Sequence, residues 1–427
     1  MENRRVVVTG IGMVSPVGSN VKNSWNNIIN SKSGIRKIKS FDTTELPDSI
    51  SKVAGEVKMA GEEGVEDGFN PDLFVEKKEQ RKMGKFIWLA MGAAEEALSD
   101  AGWKPTDEKE LARTGVFAGS GIGGLDYIEH TCETMFARGV NKISPFFVPA
   151  SLINLISGHV SIKYGFTGPN EAAVTACASG SHAIGESAKI IARGAADVMV
   201  TGGAESTICK LGVGGFSAMH ALSTSWTDNP EQASRPWSVG RDGFVIAEGA
   251  GILVLEEYEH AKKRGAKIDA ELVGFGSSGD AYNIVLPEPE GKGQIKAMER
   301  AIADAKITPE QIGYVNAHGT STPKGDIFEF NSVKSVFANC LNTLSMSSTK
   351  SATGHALGAA GALEAIFSIL ALKDGILPPT LNLTEIDPEC QGIDLVPLKA
   401  KQKQLQYVLS NSFGFGGTNA SLIFKKI

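Results

Sequence analysis

The sequence predicts a layered α/β fold made of two similar halves, and three observations carry that prediction. Short apolar, β-branched runs alternate with helix-length segments along the whole chain, the pattern of a sheet covered by helices. Glycine, 49 of 427 residues, is scattered through apolar contexts, which marks tight turns and close backbone approaches. The alternation also restarts near residue 266. There is a faint echo between the halves: Gly243-Phe244 precedes the apolar run 249–255, as Gly414-Phe415 precedes 419–424. We therefore divide the chain at 1–265 and 266–427.

In the first half, residues 6–9 read as a strand entering Gly10-Ile11-Gly12. The full GxGxxG of a dinucleotide loop is missing, as is an acidic residue closing a second strand. Residues 56–72, rich in Gly, Glu and Asp, read as an exposed excursion. Lys77, Lys78, Arg81, Lys82 and Lys85 then form a basic cluster, which alone is an ordinary solvated helix face. Residues 115–118 are a strand running into a glycine turn, and Ser144-Pro145 leads into an apolar helix ending near Tyr164. Residues 172–176 read as a buried strand and the segment through Ile190 as a helix, with Gly194 as its C-cap. A strand at 197–201 ends on Gly202-Gly203, 249–255 is another strand, and a helix over 256–264 is closed by Gly265.

In the second half, 267–275 reads as strand, 294–305 as helix, 313–316 as strand and 326–337 as helix. Strand 344–346 and a small-residue-rich helix over 356–372 follow. Strands 407–410 and 420–424 flank a glycine-rich turn.

Composition bounds the function. Hydrophobic residues are 42% and charged residues 21%, enough for a sizeable core. A net charge of −6 argues against bulk nucleic-acid binding, so an anionic partner needs a local basic patch. The five cysteines are odd in number and far apart, with no CxxC spacing, which fits a reducing compartment better than a disulfide framework. Met1-Glu2-Asn3-Arg4-Arg5 runs straight into a strand without the apolar segment of a signal peptide. No run approaches the roughly 18–20 apolar residues of a membrane span. The expectation is a soluble, cytoplasmic protein with no membrane or nucleic-acid partner.

Four turns carry candidate chemistry. Cys177 falls at the strand-to-helix junction, where unpaired N–H groups favour negative charge and lower a thiol pKa. The bland alternative is a small buried core cysteine. His318 follows a strand in Asn316-Ala317-His318-Gly319-Thr320-Ser321-Thr322-Pro323. Lys350 and His355 precede a helix in Lys350-Ser351-Ala352-Thr353-Gly354-His355, and residues 411–419 are a flexible turn rich in N–H groups. A thiolate at a helix start attacks a thioester and holds the acyl group covalently. Two histidine N–H groups then hold the carbonyl oxygen of a second substrate as an enolate develops, while backbone N–H groups from Cys177 and the glycine turn stabilise oxyanions. Two imidazoles without a carboxylate motif suit carbon–carbon bond formation better than peptide hydrolysis. Zinc held by Cys177, His318 and His355 is a physical alternative, but supporting ligand spacing is absent and no metal is expected.

These ordered motifs, with Thr175-Ala176-Cys177-Ala178-Ser179-Gly180 as the first, resemble those of the β-ketoacyl-acyl-carrier-protein synthases, condensing enzymes of type II fatty-acid synthesis. The likeness runs from Val6-Val7-Val8-Thr9-Gly10 to the last strand and is nearest to synthase II. It implies the thiolase-like fold, two duplicated βαβαβαββ halves in five layers, and a homodimer. Implied for the site are Cys177 as acylated nucleophile, and His318 and His355 as the pair that decarboxylates malonyl-carrier and holds the enolate. Lys350 would tune their charge, and Phe415 would gate the cysteine while its turn supplies an oxyanion N–H.

Thr320 and Thr322 resemble threonines lining a phosphopantetheine channel, and Ile122 and Phe147 resemble residues shaping the acyl pocket near the dimer interface, although core packing explains these two equally well. A bulky Ile122, where short-pocket relatives have glycine, favours type II over type I. The resemblance implies no cofactor beyond carrier-borne phosphopantetheine, with Asn316 and Glu364 ordering the site or a structural monovalent cation. An acidic acyl carrier protein would need basic contacts, for which Lys77, Lys78, Arg81, Lys82, Lys85 and Lys142 are the candidates.

Two departures stand out. The family often has His, Thr and Ser where this chain has Asn283, Val285 and Leu286, which removes potential pantetheine hydrogen bonds, and the 56–72 excursion is longer than usual. Among rivals, a thiolase would place a second cysteine in the C-terminal turn, where there is none, and a non-catalytic chain-length partner would lack Cys177. A polyketide condenser shares the same residues.

Overall fold

A computed structural model describes residues 4–427; the reading made on residues 1–3 lies outside the described residues. Among the described residues, the ten strands of the main sheet alternate with six of the helices. The first half comprises β1 (Val6–Val14), α1 (Lys85–Asp100), β2 (Thr114–Gly119), α2 (Leu155–Tyr164), β3 (Asn170–Glu171), α3 (Ser179–Ala192), β4 (Val198–Glu205) and β5 (Gly249–Glu257). The second half repeats the order: β6 (Ala270–Gly279), α4 (Lys292–Ala305), β7 (Ile312–Asn316), α5 (Gly325–Val336), β8 (Ser345–Ser347), α6 (Ala360–Asp374), β9 (Tyr407–Gly414) and β10 (Thr418–Lys425).

The sheet order is β8-β7-β9-β10-β6-β1-β5-β4-β2-β3, so each half contributes five strands in the same sequence from the centre outward. The senses repeat too. β1 is antiparallel to β5, β5 antiparallel to β4, and β2 parallel to β4 and β3. The strands β6, β10, β9, β7 and β8 reproduce this arrangement. Among the described residues, only the pairs Val7–Glu271 and Val8–Ala270 join the two halves in the sheet.

Packing repeats as well. A Cβ at Gly10 or Gly12 of β1 would lie 2.2 or 1.9 Å from the carbonyl oxygens of Ala97 and Ala93 in α1. At Gly274 and Gly276 of β6 it would lie 2.4 and 2.0 Å from those of Ala301 and Ala297 in α4. In both halves, glycine lets the outer helix sit directly on the first strand. Three apolar cores then define five layers. One core packs α1 and α2 on the outer face of the first five strands, and another packs α4 and α5 on the second five. The central core contains α3 and α6 between the two halves. Among the described residues, no helix is long and apolar enough to cross a membrane.

Several expected elements differ. The strand read at 172–176 stops at Glu171. Beyond it the Ala173 carbonyl still accepts from Ser120 N–H at 3.2 Å, but Thr175 is held by side chains: Ser179 Oγ accepts from its N–H at 2.9 Å and Thr418 Oγ1 donates to its carbonyl at 2.9 Å. Gly202-Gly203 does not end its strand, which continues to Glu205 because the small residues keep pairing with Ile252 and Gly251. The helix read up to Tyr164 is broken into Phe147–Ser151 and α2. The 56–72 excursion has an exposed tip but tied ends. Phe69 is buried and stacks on Phe74 at 5.6 Å, and Lys39 binds Glu62 at 2.6 Å.

Candidate active site

Cys177 sits in a 3₁₀ turn, Ala176–Ala178, immediately before α3. Ala176 has φ +50°, a left-handed conformation that costs a side-chain-bearing residue about 1–2 kcal/mol. The kink ends the extended segment and turns the cysteine towards the second half. His318 comes from the segment after β7. Its own N–H and that of Gly319 donate to the two oxygens of Glu329 on α5, at 2.7 and 2.6 Å. His355 is held through its backbone, which donates to the Val245 carbonyl at 2.7 Å and accepts from Ala247 at 2.9 Å. Its ring lies edge-on to Phe244 at 5.3 Å and to His318 at 5.2 Å.

The Cys177 sulfur and the nearest ring nitrogens of His318 and His355 all lie within 4.8 Å of one another. The spacing is compact enough for one reacting carbonyl, or for a metal ion. The Nδ1 atoms of both histidines are buried without a hydrogen-bond partner. Behind them, Lys350 is buried against the Glu364 carboxylate. Asn316, also buried, donates to the Glu364 carbonyl at 3.5 Å. The Phe415 turn between β9 and β10 has Gly416 and Gly417 at φ +79° and +71°, conformations suited to glycine, and brings the Phe415 N–H onto the sulfur beside Cys177's own N–H.

The electrostatics divide the set. Burial, then the positive charge of Lys350, hold both imidazoles well below the usual histidine value. They are neutral at neutral pH, each with one N–H to donate. Burial pushes the Cys177 thiol up to about 11, against the opposing pull of the Phe415 N–H and Lys350. The expected low-pKa thiol at a helix start is thus corrected: with the sulfur out of water, desolvation outweighs the helix terminus.

Cys177, His318, His355, Phe415, Thr320, Thr322 and Ile122 line one cavity of about 460 Å³. The hydroxyls of Thr320 and Thr322 are 3.0 Å apart. Lys350 stands behind the histidines, outside the lining, and so does Phe147, half-buried in its short helix. The basic residues lie away from the cavity. Lys77 pairs with Asp72 at 3.2 Å, Lys78 with Glu76 at 2.8 Å and Lys82 with Glu79 at 2.7 Å, whereas Arg81 and Lys142 are exposed. Lys85 differs from the rest: it is bound at 2.6 Å to the buried Glu248 and is committed to the interior. Asn283 organises its loop, since Oδ1 accepts from the N–H groups of Val285 and Leu286 at 2.8 and 3.0 Å. Val285 and Leu286 line the cavity, and the Ile284 carbonyl accepts from Gly416 N–H at 2.9 Å, which ties this loop to the Phe415 turn.

Two buried carboxylates escaped the sequence reading. Glu329 clamps the His318 turn, and burial raises its pKa to about 7. Glu205, at the end of β4, accepts from Ser120 Oγ at 2.8 Å and from the N–H groups of Gly121, Gly123 and Gly358 at 2.6, 2.9 and 3.0 Å. It joins the Ile122 loop to the start of α6. A carboxylate closing an otherwise apolar strand run was the available signal, because burying one demands donors.

Two family models cover most of the chain: beta-ketoacyl synthase, N-terminal domain, over residues 3–261, and beta-ketoacyl synthase, C-terminal domain, over residues 269–384. The chain is 51% identical over 423 residues to 3-oxoacyl-[acyl-carrier-protein] synthase 2 of Rhizobium meliloti (strain 1021), covering 99% of each chain. It is 52% identical over 430 residues to the protein of that name from Vibrio harveyi, covering 100% of each. Among solved structures, a beta-ketoacyl synthase from Burkholderia phymatum STM815 superposes with a TM-score of 0.89 at 37% identity, covering 99% of this chain and 100% of that one. A ketosynthase bound to a hexaketide, in complex with its type II PKS acyl-carrier protein, gives 0.88 at 33% identity, with 100% of each chain covered. The thiolase-like fold is therefore shared over its full length with proteins of one kind, and the chain belongs to the beta-ketoacyl synthase family.

Proposed function

We propose that the protein elongates acyl chains by a decarboxylating Claisen condensation on carrier-borne substrates. The observation that carries this reading is the Cys177–His318–His355 cluster, with two backbone N–H groups on the sulfur and Lys350 behind the imidazoles. In the first step Cys177 sulfur attacks an acyl-carrier thioester. A bond from sulfur to the acyl carbon forms and the carbon–sulfur bond to the carrier breaks; the proton of the neutral Cys177 thiol passes to the departing carrier sulfur, which leaves as a thiol. The N–H groups of Cys177 and Phe415 hold the tetrahedral oxyanion. In the second step malonyl-carrier loses carbon dioxide. The neutral His318 and His355 donate N–H bonds to its thioester oxygen as the enolate forms. The enolate carbon then attacks the acyl-cysteine, the new carbon–carbon bond forms and the Cys177 carbon–sulfur bond breaks; the thiolate released takes up one proton from solvent, which restores the neutral thiol.

Several further assignments belong to this proposal. Thr320 and Thr322 face the phosphopantetheine arm, and Ile122 bounds the acyl chain. Arg81 and Lys142, the exposed unpaired cations of the basic set, are the best placed to meet an acidic carrier. The buried Asn316 Oδ1 and Glu364 Oε2 have no partner, which suits a monovalent cation held by oxygen ligands. A homodimer is supported by apolar residues left open on adjoining elements, Phe136, Val140 and Val148 at 83%, 71% and 59% exposure, with Phe147 beside them. The five cysteines are all free, consistent with a reducing, cytoplasmic setting. A unit boundary at 265/266 agrees with the repeat restarting at β6.

The test is incubation with acyl-carriers of graded length and malonyl-carrier, following the mass of Cys177 and of the product. An acyl adduct that disappears as a two-carbon-longer 3-oxoacyl product forms is expected. Turnover without an adduct, or without carbon dioxide release, overturns the reading. The resemblance to a hexaketide-bound ketosynthase supports a polyketide condenser as the second reading, and repeated extension without an intervening reduction would identify it.

A further inference from the structure

The cavity carries one cation that the catalytic set does not use. Lys324 is the only lysine or arginine among the lining residues. It is exposed, one residue beyond Pro323, on the wall that holds Thr320 and Thr322. The carboxylates that share the cavity are committed elsewhere. Asp326 accepts from the N–H groups of Ser321 and Trp237, each at 3.0 Å, and faces Arg241 at 3.5 Å. Asp280 accepts from Asn419 Nδ2 at 2.6 Å, and Glu329 holds the His318 turn. Lys324 makes no ion pair with any described residue.

Another part of the lining sharpens its role. Val285, Leu286 and Pro287 offer no side-chain donor to the cavity. An arm with its thioester at Cys177 carries its phosphate away from the sulfur towards solvent, and the one lysine or arginine that lines the cavity, Lys324, is exposed to that solvent. We propose that Lys324 binds the phosphate of the phosphopantetheine arm and replaces, by one charge-assisted contact, recognition that the 283–286 loop does not supply. This inference rests on the reading that substrates arrive on such an arm.

The experiment compares acylation of Cys177 by one acyl group carried on phosphopantetheine and on unphosphorylated pantetheine, both free of carrier protein and below saturation, read by intact-protein mass. The native protein should be acylated roughly three- to tenfold faster by the phosphorylated thioester, with a ratio that shrinks at high salt. In K324Q the ratio should fall to about 1, and K324R should retain most of it. A ratio unchanged in K324Q overturns the assignment. So does a K324Q defect confined to carrier-borne thioester, which would place the lysine against the carrier's acidic surface instead. Acylation of the native protein by both compounds without a phosphate preference overturns this inference alone, whereas no adduct from any thioester, carrier-borne included, overturns the proposed function with it.

Discussion

The turn that carries Cys177 has a counterpart in the other half of the molecule. α3 is entered through Ala176–Ala178 and α6 through Leu357–Ala359, both 3₁₀ turns whose first residue has positive φ, +50° at Ala176 and +44° at Leu357. Where the first turn places Cys177, the second places Gly358, whose Cβ would lie 2.1 Å from the Gly121 nitrogen. One turn presents a nucleophile to the cavity; the other packs against the Ile122 loop and donates its N–H to Glu205. The hairpins differ in the same sense. β9 and β10 are joined by the tight Phe415 turn, while residues 206–248 between β4 and β5 supply Phe216, Met219 and Phe244 to the cavity wall. Duplication built the frame, and the chemistry comes from where the copies diverge.

That contrast breaks in a graded series of variants. Cys177→Ala removes the only reactive group of the pair of turns, and acyl-enzyme should vanish from the mass spectrum; an adduct that persists moves the nucleophile elsewhere. His355→Ala comes next. Condensation should fall about 10²–10³-fold, the loss typical of one oxyanion donor, while acylation of Cys177 survives in part. Equal losses in the two half-reactions would show that the histidine serves the thiol as well as the enolate. Gly358→Ala places a side chain where the second turn has no room and should cost about 1–3 kcal/mol of stability, seen as a lower denaturant midpoint. No shift would mean that the turn relaxes freely.

The smallest effect is a change of slope. Alkylation runs through the thiolate, and burial raises the Cys177 pKa to about 11. Its rate with iodoacetamide should therefore keep rising about tenfold per pH unit through pH 9 and level off only near 11. A plateau below pH 8 would show that the helix terminus prevails over burial.

Much of this was legible in the residues. The restart of the pattern near 266, the four motif turns and the strand cores other than the one read at 172–176 lie where periodicity and glycine placement put them. The outer helices α4 and α5 and the first strands were legible too, because an apolar stripe reports local packing, whereas α1 was not read from the sequence. The misses share one physical cause. Residues 172–175 look like a strand by their β-branching, yet the Thr175 backbone is satisfied by the side chains of Ser179 and of Thr418 from β10. Lys85 looks like a member of the basic cluster, yet its charge neutralises Glu248, which is 1% exposed. Glu205 closes an apolar strand run, but the donors that explain it, Ser120 and Gly358, arrive from distant segments.

The sequence by itself determined the class of fold, its duplication, and which cysteine, histidines and lysine belong together, since these follow from local pattern and ordered motifs. Only the tertiary structure decided the charge states. Whether a thiol ionises, whether an imidazole stays neutral and whether a lysine is free to meet a ligand depend on desolvation and on groups far away in the chain. Cys177 is neutral because it is buried, and Lys324 is free because every carboxylate sharing its cavity is already engaged.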